Sequence, residues 1–374
     1  MRTRALVLLV AMMLIAACSN TGASPSTTAS TAPTTAASQE PSGSGEASPG
    51  PSSSGGGAVD PSTLKIGMVT DIGQLEDKSF NEFSWKGVQE GAKAIGAPEP
   101  QVVVTKDTAD YQANIQSLVD DGYNVIVTVG FLIGSDTRKA ALVNPDIQFF
   151  GVDQFVAAPA PKNYQGILFA EAQPGYLAGL VAASVSKTGV IGAVGGRSDV
   201  PPVLAYINGY RNAAASINPN IKVIVQYTED FNAPDKGEAA ANAMIGQKAD
   251  VIFQVAGLTG AGALRAACQA KISGIGVDVD QHGSLPDAAS CIITSAEKKL
   301  QNAVMQAIQR YASSGLQGDN FFNDVKNDGV GLSPFTNITP PADLQGKIDA
   351  AIAGMKDGSL DPCKPVSCDT VQPK

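Results

Sequence analysis

The chain has 374 residues and a formal net charge of −9, with 35 acidic residues against 26 basic ones. An acidic surface repels nucleic acid and ligands carrying several phosphates, and leaves neutral solutes open. The length exceeds what one hydrophobic core usually serves and favours two lobes.

Residues 1–18 read MRTRALVLLVAMMLIAAC. Two arginines, a short apolar core and small residues ahead of a cysteine predict a secretory signal peptide over residues 1–17. The apolar core is too short for a comfortable membrane span. The run IAAC resembles a bacterial lipobox, which implies cleavage before Cys18 and lipid on its thiol. Cleavage would remove Arg2 and Arg4 and no acid, making the mature chain more acidic still. Residues 18–63 are almost entirely Ser, Thr, Ala, Gly and Pro. Such a segment buries too little apolar surface to offset its chain entropy and is expected to be a disordered tether. Flexible-coil scaling gives it a root-mean-square span of roughly 35–40 Å.

From residue 64 onward, apolar β-branched runs alternate with helical patterns. Strands are predicted at residues 65–70, 101–105, 124–129, 148–152, 189–195, 222–227, 250–255 and 273–277. Nearly all are continuous hydrophobe, as in parallel strands covered on both faces. Helices are predicted at 110–121, 174–186, 235–247 and 297–313. The alternation implies βαβ units in an α/β fold. The expected domains are lobe I over 64–170, joined by part of 294–330, and lobe II over 171–293. A C-terminal segment, 331–374, returns to the lobes and ends in a small cysteine-containing tail.

Open parallel sheets bind ligands beyond the carboxyl ends of their strands. Asp71, Asp77, Ser79, Phe80, Asn81 and Trp85 follow the first predicted strand, Phe131 and Asp136 the third, and Asp153 the fourth. Gly196, Gly257 and Asp278 follow strands in the second block. Carboxylates accept hydrogen bonds from a diol and aromatic faces stack on a flat ring, so the set suits a neutral, hydroxylated, planar ligand. Other readings compete: Asp71 as a cap for the following helix, Phe253 as core, Lys298 as a solvent-facing lysine at a helix start, His282 as a surface loop residue.

The chain has five cysteines. With Cys18 lipidated, an even four remain, which suggests disulfides in an exported protein. Three pairings are open; proximity in sequence favours Cys268–Cys291 and Cys363–Cys368. Zinc is not expected, for CxxC spacing is absent and the single histidine has no partner histidine. One histidine also builds no Ser/His/Asp set. GxSxG, Walker and HExxH motifs are missing. A hydrolase using paired carboxylates is the weaker alternative.

Seven stretches then carry a family resemblance: VTDIGQLEDKSFNEFSWKG, VTVGFLIGSD, IQFFGVDQ, GYLAGLVAASVSKTGVIGAVGG, KADVIFQVAGLTGAGAL, GIGVDVDQ and TSAEKK. In this order, from about residue 65 to 299, the chain resembles the basic-membrane-protein family of ABC-transporter substrate-binding lipoproteins, which includes purine nucleoside receptors. The resemblance implies a type I periplasmic-binding-protein fold, with two Rossmann-like lobes of parallel sheet joined by a hinge. It implies a non-enzymatic receptor, lipid-anchored on the outer face of the cell membrane, that needs no cofactor and passes a purine nucleoside to an ABC permease. A sugar or another small polar solute is the alternative ligand. Receptors of this design usually act as monomers. By the same resemblance, Asn81 and Asp136 would meet the base edge, and Trp85 and Phe253 would stack on it. Asp278 and Lys298 would hold the ribose, supported by Asp71, Asp77, Ser79 and Asp153.

Overall fold

A computed structural model describes residues 59–370. The expected signal peptide, Cys18 and most of the expected tether lie outside the described residues. The strands and helices run in chain order as β1 (Ile66–Val69), α1 (Phe80–Ile95), β2 (Gln101–Val103), α2 (Tyr111–Asp120), β3 (Val125–Val129), α3 (Gly134–Val143), β4 (Gln148–Val152) and β5 (Tyr164–Phe169). There follow α4 (Ala172–Val185), β6 (Val190–Gly195), α5 (Pro201–Ile217), β7 (Lys222–Tyr227), α6 (Pro234–Gly246), β8 (Val251–Val255), α7 (Gly257–Gln269), β9 (Ser273–Asp278), α8 (Gln281–Ser284) and β10 (Ile292–Lys298). Last come α9 (Leu300–Ser314), β11 (Asp319–Asn323), β12 (Val330–Leu332) and α10 (Leu344–Asp357).

Two six-stranded sheets form, in the orders β11-β5-β4-β3-β1-β2 and β12-β10-β9-β8-β6-β7. All pairs are parallel except β10 with β12. Strands β1, β3, β4 and β8 are buried along their whole length, which explains their largely apolar sequence. The fold is an α/β protein of two lobes.

The chain passes between the sheets after β5, after β10 and after β11. Hydrogen bonds tie these passages together: Ala170 N donates to the Asn323 carbonyl at 2.9 Å, and Lys299 N to the Gly329 carbonyl at 2.9 Å. Three crossing segments bonded side by side form a hinge.

Sequence reasoning missed β5, β10, β11 and β12. The helix predicted at 297–313 starts at Leu300, because Glu297 and Lys298 complete β10. Residues 59–63, within the segment expected as tether, are folded: Asp60 caps a short turn at Pro61–Thr63, and Val59 N donates to the Ala312 carbonyl at 3.0 Å. Cys268 is joined to Cys291, fixing α7 to the start of β10, and Cys363 to Cys368 in the C-terminal tail. Among the described residues no helix is long and apolar enough to cross a membrane.

Candidate functional site

The carboxyl ends of both sheets face one cleft, whose space is about 670 Å3 counted to its open mouth.

The loop after β1 supplies the first wall. Asp77 accepts hydrogen bonds from the backbone N–H groups of Ser79 (2.9 Å), Asn81 (2.8 Å) and Glu82 (3.2 Å). It therefore caps α1 and satisfies donors that a helix start leaves open. Asp71, by contrast, caps no helix: one of its oxygens accepts from Ile72 N at 2.7 Å and from the Tyr111 hydroxyl. Its other oxygen approaches Gly130 so closely that a Cβ there would sit 1.9 Å away, and Gly130 has φ +99°. Only glycine fits that place. Burial pushes the Asp71 carboxyl up to about 6 against its hydrogen bonds. Burial likewise pushes Asp77 up to about 7 against its three amide donors. Asn81 donates from Nδ2 to the Gln74 carbonyl at 3.2 Å, while its buried Oδ1 accepts nothing from the protein.

The hinge supplies the floor. Lys298, at the end of β10, places Nζ 2.5 Å from Asp153 Oδ2 and 3.2 Å from Glu171 Oε1. The Lys298 side chain is 2% exposed, so the solvent-facing helix lysine is excluded. Burial opposes its charge, but Asp153, Glu171 and Asp278 outweigh burial and raise its pKa. The other oxygen of Asp153, Oδ1, is buried and accepts nothing from the protein. Burial raises Glu171 and Asp278, with Lys298 pulling each back. Asp153 and Asp278 both take left-handed backbone, at φ +60° and +65°. Aspartate tolerates this better than most residues, and such departures collect at functional sites.

Contacts across the cleft hold the lobes together. The Ser79 hydroxyl of lobe I donates to Asp278 Oδ2 at 2.7 Å, and the Ser284 hydroxyl of lobe II donates to the Lys78 carbonyl at 2.8 Å.

The cleft is lined by Asp71, Asp77, Phe80, Asn81, Phe131, Asp153, Gly257, Asp278 and Lys298 of the expected residues. Ser79 reaches it through Asp278. Gly196 acts at one remove: a Cβ there would lie 2.1 Å from the ring of Phe231, which lines the cleft. Three expectations are corrected. Phe253 is fully buried in the middle of β8, stacked on Tyr210 at 5.1 Å, and belongs to the core. Trp85 packs half-buried against the core from α1 and does not line the cleft. Asp136 pairs with Lys139 at 2.9 Å in the first turn of α3, also outside the lining.

Sequence reasoning missed Tyr206 and Phe231, the aromatic rings of lobe II in the cleft, and Val200, Pro202 and Val203 beside them. It missed Tyr111, which orients Asp71, and Glu171, the second partner of Lys298. Glu171 could have been found: it follows β5, and the rule of strand ends points there once that strand is recognised.

Residues 64–351 match the family model described as ABC transporter substrate-binding protein, PnrA-like. The ABC transporter nucleoside-binding protein BmpA of Lactococcus lactis is 31% identical over 307 residues, covering 76% of this chain and 86% of the relative. Basic membrane protein A of Borreliella burgdorferi is 32% identical over 276 residues, covering 72% and 77%. Among solved structures, an ABC transporter solute-binding protein of Aeropyrum pernix aligns with TM-score 0.72 at 23% identity, covering 80% of this chain and 92% of that one. Another, of Conexibacter woesei, aligns with TM-score 0.61 at 25% identity, covering 80% and 98%. The two-lobed architecture is thus the type I periplasmic-binding fold, and the chain belongs to the PnrA-like family of ABC-transporter substrate-binding proteins.

Proposed function

We propose that this chain is an extracytoplasmic receptor that closes its lobes on a nucleoside, a purine nucleoside in the first instance, and presents it to an ABC permease. One observation carries the reading: two buried acceptors of the cleft, Asn81 Oδ1 and Asp153 Oδ1, accept no hydrogen bond from the protein. A buried acceptor without a donor costs about 1–3 kcal/mol, so the cleft favours a ligand with N–H or O–H groups for both. A nucleoside has such donors on its base and on its ribose. Phe80 and Phe131 from lobe I and Tyr206 and Phe231 from lobe II supply ring faces, and base stacking contributes about 1–3 kcal/mol. The names of relatives support the class, BmpA of Lactococcus lactis being called nucleoside-binding. Four lining carboxylates against one lysine oppose a phosphate, so nucleotides should be rejected.

The hinge and the contacts between Ser79 and Asp278 couple binding to closure. In this reading the receptor acts as a monomer, anchored by lipid on Cys18 and held off the membrane by the tether. The support for the anchor is the sequence of residues 1–18. Cys18→Ser should release the protein from the membrane fraction.

The test is thermal unfolding of the purified protein against purine and pyrimidine nucleosides, ribose, other sugars and nucleoside monophosphates. A ligand at one hundred times its Kd stabilises by about 2.7 kcal/mol. A shift with nucleosides and none with monophosphates is expected. A shift with sugars alone overturns the nucleoside reading and keeps the receptor.

A further inference from the structure

The cysteine-closed tail has no part in the function derived above, yet it is bonded to α5, the helix that carries one wall of the cleft. The loop between Cys363 and Cys368 lies on α5. Asn212, 3% exposed, donates to the carbonyls of Pro362 (2.8 Å) and Val366 (2.8 Å) and accepts from Val366 N at 3.0 Å. One turn away, buried Asn208 donates to the carbonyls of Cys368 (3.1 Å) and Thr370 (2.9 Å). The chain then reaches the first turns of α5: Cys368 and Asp369 border a groove with Pro201, Pro202 and Ala205. Phe131, Asp153 and Pro202 line both that groove and the ligand cleft.

Helix α5 is held along its length by two kinds of contact. It meets α4 through glycines: a Cβ on Gly175 or Gly179 would lie 2.2 Å from the carbonyls of Tyr206 or Tyr210, and one on Gly209 would lie 2.3 Å from that of Ala172. Backbone lies against backbone there, and Tyr206, Ile207 and Tyr210 pack α5 into the core; hydrogen bonds at its outer face can add a restraint on its axial position. Directional hydrogen bonds to a covalently closed loop supply that restraint, because the closed loop samples fewer arrangements of its carbonyls. Tyr206 and Pro202 lie within two turns of Asn208 on the same helix.

We propose that the C-terminal disulfide loop is a positioning element of the binding site. It fixes α5 along its axis and so sets where Pro202, Val203 and Tyr206 stand in the cleft. The affinity arm of the test rests on the nucleoside reading; the exchange arm does not. In Cys363→Ser/Cys368→Ser, hydrogen exchange is measured on ligand-free protein at the α5 amides 203–207, with α1 and α7 as references. Dissociation of purine nucleosides is measured on the same variant. Exchange at 203–207 should quicken at least tenfold with α1 and α7 unchanged, and nucleosides should leave about fivefold faster. Asn212→Ala keeps the disulfide and should reproduce the pattern, which preserves the test if the first variant folds poorly. Faster exchange confined to the tail and residues 208–217, or no change anywhere, overturns the proposal. If wild type binds no nucleoside, the functional reading fails and the exchange at 203–207 still decides this one.

Discussion

Replacing Lys298 with methionine tests the electrostatic construction of the hinge without any ligand. Methionine keeps most of the length and removes the charge. The variant leaves Asp153 and Glu171, with side chains 5% and 10% exposed, buried beside each other without a cation. Breaking a buried ion pair from one side costs about 3–5 kcal/mol. For about 310 folded residues that is a fall in Tm of about 5–8 °C. The loss must depend on pH. Burial already raises the folded pKa of Glu171 to about 7, with Lys298 pulling it down; removing Lys298 raises it further. A carboxyl raised on folding contributes stability that is full below its unfolded pKa and lost as pH rises through its folded pKa. The variant should therefore lie closest to wild type near pH 5.5 and fall furthest behind above pH 8. Lys298→Met/Glu171→Gln removes one of the two stranded charges and should regain about half of the loss. Urea and thermal unfolding followed by circular dichroism across this pH range give the numbers. A loss below about 1 kcal/mol at pH 8, or one equal at both ends of the range, refutes the reasoning.

Three further outcomes are expected. Gly130→Ala sets a Cβ 1.9 Å from the Asp71 carboxylate at φ +99°; the forced shift should cost about 1–3 kcal/mol in urea unfolding, with Asp71 turned away from Tyr111. Wild-type stability should carry a component from Asp71 that is full below about pH 4 and lost through about pH 6, of about 2–3 kcal/mol. Asp71→Asn should flatten that part of the stability–pH curve. Phe253→Ala should cost about 3–5 kcal/mol in stability, because its ring is packed on Tyr210 and Tyr206 rather than on a ligand; a folded variant of near wild-type stability that merely binds nucleosides weakly would restore the stacking role.

The fold was legible where burial on both faces left its mark on the sequence. Strands such as VIVTV and VIFQV are apolar but for one buried polar residue each, because helices cover the sheet on both sides. The missed strands lack that mark for physical reasons. β11, DNFFN, is an edge strand exposed at Asp319 and Phe322, and β12 has three residues. β10 hides its character behind Thr294, Ser295, Glu297 and Lys298. Those polar side chains are tolerated inside because each has a partner, Thr294 donating to the Ser333 carbonyl at 2.7 Å and Lys298 to Asp153 at 2.5 Å. A periodicity argument sees only the polar residues; the partners come from distant parts of the chain.

The site divides in the same way. Asp71, Asp153 and Asp278 could be placed because topology alone sends the residue at the end of a parallel strand to the cleft; Lys298, at the end of the missed β10, was reached only through the family resemblance. The aromatic faces divide: Phe80 and Phe131 of lobe I follow strands and line the cleft as expected, but the rings of lobe II were misplaced. Phe253 sits within its strand rather than at its end, and the cleft begins two residues later, at Val255. Of the rings found there instead, Tyr206 comes from a helix face, where no strand-end rule applies, and Phe231 from the loop after β7, where the rule could have found it. A further consequence concerns closure. Asp278 gives Oδ2 to Ser79 across the cleft, so the carboxylate expected to meet a ribose is also one that latches the lobes. A ligand that donates to its free oxygen stabilises the carboxylate against the cost of burial. Ligand contact and lobe contact then draw on one buried charge, which gives a physical reason why this receptor should close more firmly when occupied than when empty.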